Sequence, residues 1–207
     1  MNNISKDKKI IIDKDESIFV DGSAEIKIVE SIHANVYCLS YNETNEFNIY
    51  LEKENSSIDF YYSTINESNN NLKVNVYHNA KNTESHVYNH GVNLENNNLH
   101  FDISGYVKKE SIGSNCNQDN EIINIKSGKS TICPNLYIDC YDSNSNHSAY
   151  IGKFKDEEIF YLESRGLSKK KAYNLLMKSF LIPFITDSKE KDEYVKKIEE
   201  IGGELYE

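Results

Sequence analysis

From residue 10 to residue 140 the chain repeats one spacing, short runs in which apolar and polar residues alternate. Ile18 and Val20 open the series, followed by Ala24, Ile26 and Ile28, then Ala34, Val36 and Cys38. Phe47, Ile49 and Leu51, then Ile58, Phe60 and Tyr62, then Leu72, Val74 and Val76 continue it. Leu99, Phe101 and Ile103, then Ile123 and Ile125, then Leu136 and Ile138 close it. A period of two sends alternate side chains to opposite faces, so each run predicts a strand with one buried face. The Asn runs at 69–71 and 96–98 fall between these segments and read as turns, because Asn tolerates left-handed backbone angles. Many short, evenly spaced strands make a sandwich, a barrel or a solenoid, and periodicity does not choose among them.

At Asp156 the period changes. Ile159, Phe160 and Leu162 open a helix that should stop at Gly166, the residue after Arg165. Ser168 is placed to cap a second helix, whose Ala172, Leu175, Leu176, Ser179 and Phe180 form one stripe. Pro183 should end or kink it. Asp187 or Ser188 can cap a third helix carrying Tyr194, Val195, Ile198 and Ile201, which should end at Gly202 and Gly203. The expected division is a β body over residues 1–153 and a helical segment over 154–207.

Charge and cysteine usage exclude several functions. Thirty-three acidic against 23 basic residues give a net charge of −10, which argues against nucleic acid as the partner. Lys169, Lys170 and Lys171 read as a solvated helix face. No apolar stretch is long enough to span a bilayer, and residues 1–9 lack the apolar core of a signal peptide, so a cytoplasmic protein is expected. Cys38, Cys116, Cys133 and Cys140 contain no CxxC pair and fit neither a zinc ribbon nor a disulfide framework. No Walker sequence, nucleophile elbow or glycine-rich phosphate loop is present, nor a convincing pair of carboxylates for glycoside hydrolysis.

One stretch is more specific. Pro134, Leu136 and Ile138 are followed by His147, Ala149 and Gly152, then by Asp156 and the string Ile159-Phe160-Tyr161-Leu162-Glu163-Ser164-Arg165-Gly166-Leu167, then by Ala172 and Phe180. This resembles the C-terminal signature of the SufB/SufD family: a Pro-x-Leu-x-Ile strand, a His-x-Ala-x-x-Gly loop, an acidic-Ile/Leu-Phe-Tyr-Leu-x-Ser-Arg-Gly helix end and an Ala…Phe helix. Upstream, Thr83, Ser85, Gly91 and Val92, with Phe101 and Gly105, resemble the family's strands more weakly. Residues 1–80 match in texture.

The resemblance implies a mainly β fold, a right-handed parallel β-helix followed by a C-terminal α-helical segment. It also implies a non-enzymatic scaffold subunit for iron–sulfur cluster assembly. Such a subunit pairs through its β-helix with a SufB-like partner or with itself, recruits the ABC-type ATPase SufC through its helices, and takes part in building a transient cluster. His147 matches the family's loop histidine. A neutral imidazole is a borderline iron ligand, and the alternative is a histidine bonded to backbone. SufB-type members carry Glu after this His, where this chain has Ser148, and an upstream Cys whose place falls near Asp119. Cys116, three residues earlier, is either a substitute ligand or a small buried hydrophobe. Phe160, Tyr161, Arg165 and Phe180 are the implied ATPase-docking residues, with intramolecular packing as the alternative. His78, His86, His90 and His100 could form a metal cluster, but their spacing suggests adjacent solenoid turns or loops, with no shared face that the sequence establishes. The chain is shorter than typical members, and the family's N-terminal helical region is not expected within it. A β-solenoid interaction protein that kept the fold and lost the cluster chemistry is the rival expectation.

Overall fold

The computed structural model describes residues 8–94, 96–125, 127–183, 185 and 188–204. Twelve strands alternate between two sheets. The odd ones are β1 (Lys9–Ile12), β3 (Ala24–Ile28), β5 (Asn45–Leu51), β7 (Asn70–His78), β9 (Asn98–Val107) and β11 (Lys129–Ile138). They form one six-stranded sheet in that order, all parallel. The even ones are β2 (Glu16–Phe19), β4 (His33–Tyr41), β6 (Ser57–Asn66), β8 (Glu84–Leu94), β10 (Ser114–Ile125) and β12 (Ser143–Gly152), and they form the second parallel sheet. A chain that visits two parallel sheets alternately is a solenoid, so the β-helix expectation holds and the sandwich and barrel readings do not.

Register fixes the interior. Ile26 lies beside Ile49, Ile49 beside Val76, and Val74 beside Ile103. Across from them Val36 lies beside Phe60 and Phe60 beside Val87. All of these side chains are buried. Parallel pairing puts like positions on one face, so the apolar half of each run stacks into a continuous column and the polar half faces outward.

Buried asparagines join these columns. Asn66 Nδ2 donates to Asn93 Oδ1 at 2.8 Å, and Asn89 Nδ2 donates to Asn120 Oδ1 at 2.8 Å. The turn expectation holds for part of each tract, Asn69 lying between β6 and β7 and Asn96 and Asn97 between β8 and β9. Positive φ occurs at Asn42, Asn55 and Asn82, whereas Asn70 and Asn71 belong to β7 and Asn98 opens β9. Tracts of Asn begin strands here because each amide reaches the coil next door, as Asn98 Nδ2 does to Asn69 Oδ1 at 3.0 Å.

Three helices follow, α1 (Asp156–Ser164), α2 (Lys169–Leu181) and α3 (Lys189–Glu204). Gly166 has φ +88 and Leu167 N–H donates to Leu162 O at 3.2 Å, the expected left-handed stop. Ser168 and Ser188 accept from the backbone N–H of Lys171 and Lys191. Asp187 lies outside the described residues. α3 runs through Gly202 and Gly203 to Glu204, beyond the expected end. The helices cover the far end of the second sheet's outer face, where Met177, Leu181, Tyr194, Ile198 and Ile201 pack on Ile65, Val92 and Ile123.

Candidate functional site

The motif residues meet at the C-terminal end of the β-helix. Among the described residues β11 and β12 each pair on one side only, with β9 and β10. Tyr137, Ile138, Tyr150 and Ile151 are therefore about half exposed, although their counterparts one coil back are mostly covered. His147 lies within β12 and not in a loop, so the loop expectation is corrected. Its register partner is Gln118, which faces the interior, so His147 occupies an interior position on a coil that nothing covers.

Cys116 pairs with Ser145, two positions away, and is sealed under β12 at 1% exposure. Burial pushes its thiol up to about 11, against a lowering hydrogen bond with Ser85. Such a thiol is protonated near neutrality and is a poor ligand until it loses that proton. Gly105 makes room for it from the opposite sheet, since a Cβ there would collide with Cys116 Sγ and approach Gln118 Nε2 to 3.3 Å. The position counted as the family's cysteine, Asp119, points outward and is bonded by the hydroxyl of Ser148, its register partner.

Outside this edge runs a groove of about 280 Å³, lined by His86, Tyr88, Asn117, Asp119, Asn146 and Ser148, with the strands carrying Gln118 and His147 along it. Tyr88 ends a ladder of stacked rings, Phe19, Tyr37, Tyr61 and Tyr88, whose centroids lie 5.0–5.2 Å apart. Burial, then the carboxylates of Asp59 and Asp119, raise its phenol. The other sheet carries a matching ladder, Tyr50, Tyr77, Tyr106 and Tyr137. Neither ladder shows in a search for period-two apolar runs, because its members occupy the polar half of the alternation.

The histidines divide between the two faces, with His86 and His90 both on the outer face of β8. His78 is interior, with Nδ1 2.8 Å from Thr83 Oγ1 and Nε2 2.9 Å from Ser85 Oγ. His86 faces Asp59 at 3.6 Å, as His33 does from the other side. His90 donates from Nδ1 to Phe180 O at 2.8 Å and stacks on the Phe180 ring at 4.7 Å. Among the described residues no three His, Cys, Asp or Glu side chains are grouped to hold a metal ion.

Three of the four residues expected to dock a partner are on the surface. Phe160 is 73% exposed, Tyr161 56%, and the Arg165 guanidinium sits 5.2 Å over the Tyr161 ring. Phe180 differs, being held between His90 and Phe154 in the seam joining α2 to the sheet. The expected stripe of α2 is corrected: its buried side chains are Ala172, Met177 and Leu181, while Leu175, 48% exposed, and Ser179 face outward.

Comparison with known proteins gives the same direction. The family described as SUF system FeS cluster assembly, SufBD core domain, matches residues 17–180. An iron–sulfur cluster assembly SufBD family protein of Pyrococcus horikoshii is 50% identical over 46 residues, 22% of this chain and 10% of that protein. The aligned stretch is thus a small part of the longer relative. No helix among the described residues is long and apolar enough to cross a membrane.

Proposed function

This chain belongs to the SufBD family, and from that premise we propose that it is a non-catalytic scaffold subunit of a cytoplasmic iron–sulfur cluster assembly complex. The observation that carries the reading is the open last coil. Among the described residues β11 and β12 present two unpaired strand edges, with half-exposed Tyr137, Ile138, Tyr150 and Ile151 beside them. Edges of this kind pair with another chain unless they are blocked, and the partner is a SufB-like subunit or a second copy. His147 lies at that joint and is the group that touches the growing cluster. Cys116 is the second, one coil deeper, and binds after β12 shifts and the thiol gives up its proton. Residues 1–153 are the pairing body and 154–207 the docking segment, on which Phe160, Tyr161 and Arg165 recruit a SufC-like ATPase while Phe180 anchors α2 beneath them.

The test has two arms. Pull-down of the cognate ATPase should succeed with the full chain and fail with the Phe160→Ala, Tyr161→Ala double variant. Anaerobic reconstitution with iron and sulfide in the presence of the partner should develop cluster absorption that His147→Ala weakens. The rival reading, a β-solenoid that lost cluster chemistry, is favoured by the sealed Cys116 and by Asp119 and Ser148 satisfying each other. Reconstitution without any absorption, with ATPase binding intact, would select it.

A further inference from the structure

Two buried oxygens near His147 have no protein partner, and they point to a group that the motif does not contain. Gln118 is 4% exposed. Its Nε2 donates to Asn135 O at 3.1 Å, which fixes the amide orientation because a carbonyl acceptor requires the nitrogen there. Oε1 is left buried and unbonded, as is Ser145 Oγ. Leaving a buried acceptor unpaired is costly, so a pair of them on one face of adjacent strands is a feature to be explained. In register, Gln118 lies beside His147 and Ser145 lies beside Cys116, so all four residues share the interior face of β10 and β12 at the uncovered end.

We propose that Gln118 supplies, through Oε1, an oxygen donor next to the His147 imidazole for a divalent first-row metal ion, with Ser145 Oγ or water completing the protein side. The inference rests on the reading of His147 as the site group. An amide carbonyl has lone pairs and no proton, so it attracts cations and repels anions. A neutral imidazole with two oxygens is a borderline-to-hard set, suited to ferrous, cobaltous or manganous ions over soft ones. Asp119, the next residue on β10, and Asp59 two strands away lie on the outer face of the same sheet and add a negative field. Three neutral donors bind such an ion weakly and leave coordination positions free, as suits an ion that must be handed on. Gln118 thus stands where a strand neighbour of His147 is needed, and the ion does not depend on the protonated, sealed thiol of Cys116.

The experiment is an anaerobic titration of the full chain with Co²⁺, read by its visible ligand-field bands, with far-ultraviolet circular dichroism as the folding control. Gln118→Leu and His147→Ala should each raise Kd at least tenfold, while Cys133→Ser, on β11 of the other sheet, should leave it within twofold. Gln118→Glu should tighten binding and make it fall away at low pH. If His147→Ala weakens binding and Gln118→Leu does not, the inference is overturned and the role of His147 stands. Co²⁺ binding that ignores both variants overturns the two together. Should Gln118→Leu fail to fold, Gln118→Glu decides, and unchanged affinity there counts against the proposal.

Discussion

The middle coils and the last coil are written in the same alternating pattern yet behave as different materials. Phe60, in β6, has a strand on each side and is fully buried. Ile151, in β12, follows the same parity but has β10 on one side and nothing on the other, and it is 43% exposed. The histidines repeat the contrast, since both ring nitrogens of His78 are held by hydroxyls while His147 is exposed. Alternation says which face a side chain takes. Whether that face is covered depends on what lies one coil further along, and at the end of a solenoid another molecule decides it.

The sharpest way to break the comparison is to truncate both sites. Phe60→Ala should cost about 3–5 kcal/mol, since the ring is removed from a closed column that cannot collapse around the void. Ile151→Ala should cost less than about 1 kcal/mol in the isolated chain, because little of that side chain leaves water on folding. Urea denaturation reads both. Equal losses would mean that the last coil is as well packed as the middle and that the open end is not an interface.

The next effect is a pH dependence confined to the interior. Burial pulls His78 down to about 4, with its bond to Thr83 acting the other way. A folded value below the ordinary ~6.5 means that folding favours the neutral ring. The contribution is complete above about pH 6.5 and is lost as pH falls towards 4, on the order of 3 kcal/mol in all at ~1.4 kcal/mol per unit. Denaturation midpoints from pH 7 to 4 should show this slope, and His78→Gln should remove most of it. His90 is displaced in the same direction, chiefly by burial in the helix seam, so loosening of α2 should accompany the same descent.

The strands, the change of period at Asp156 and the caps at Gly166 and Ser168 were legible because each is a local rule read from neighbouring residues. What escaped is non-local. The asparagines all look alike in sequence, and only bonds between residues about one coil apart, such as Asn69 with Asn98, Asn66 with Asn93 and Asn89 with Asn120, show which of them build ladders. The family signature puts His147 in a loop, yet here the residue lies in a strand that exists by pairing with β10. Cys116 looked like a candidate ligand because thiols bind metals. Parity places it inside and burial keeps it protonated, while Gln118, of no special residue type, acquires interest from one unpaired oxygen.

A smaller effect tests the boundary between the two regions, where Gly105 of β9 faces Cys116 of β10. Gly105→Ala should cost about 1–3 kcal/mol, the usual range for overpacking a tight interior. The added methyl meets Sγ, so Cys116→Ala in the same chain should recover most of that loss. A double-mutant cycle measures the coupling, and additivity would show that the two side chains do not meet.

The smallest expected change in stability belongs to the proposed docking face, and it separates surface from seam. Phe160→Ala removes a ring that is 73% exposed, so the folded chain should lose no more than about 0.5 kcal/mol. Phe180→Ala removes a ring stacked on His90 and facing Phe154, and should cost several times more. Binding should not follow the same ranking. Truncating an aromatic hot spot costs about 2 kcal/mol or more, roughly thirtyfold in affinity, while its neighbours are nearly neutral. Phe160→Ala should therefore abolish ATPase capture at an unchanged melting temperature, whereas Phe180→Ala should weaken capture in step with its loss of stability, because it loosens α2 without contacting the partner. If both variants lost binding with no change in melting, the seam would itself be part of the docking surface, and the division between covered and uncovered faces would have to be moved from α2 to the edge of the β-helix.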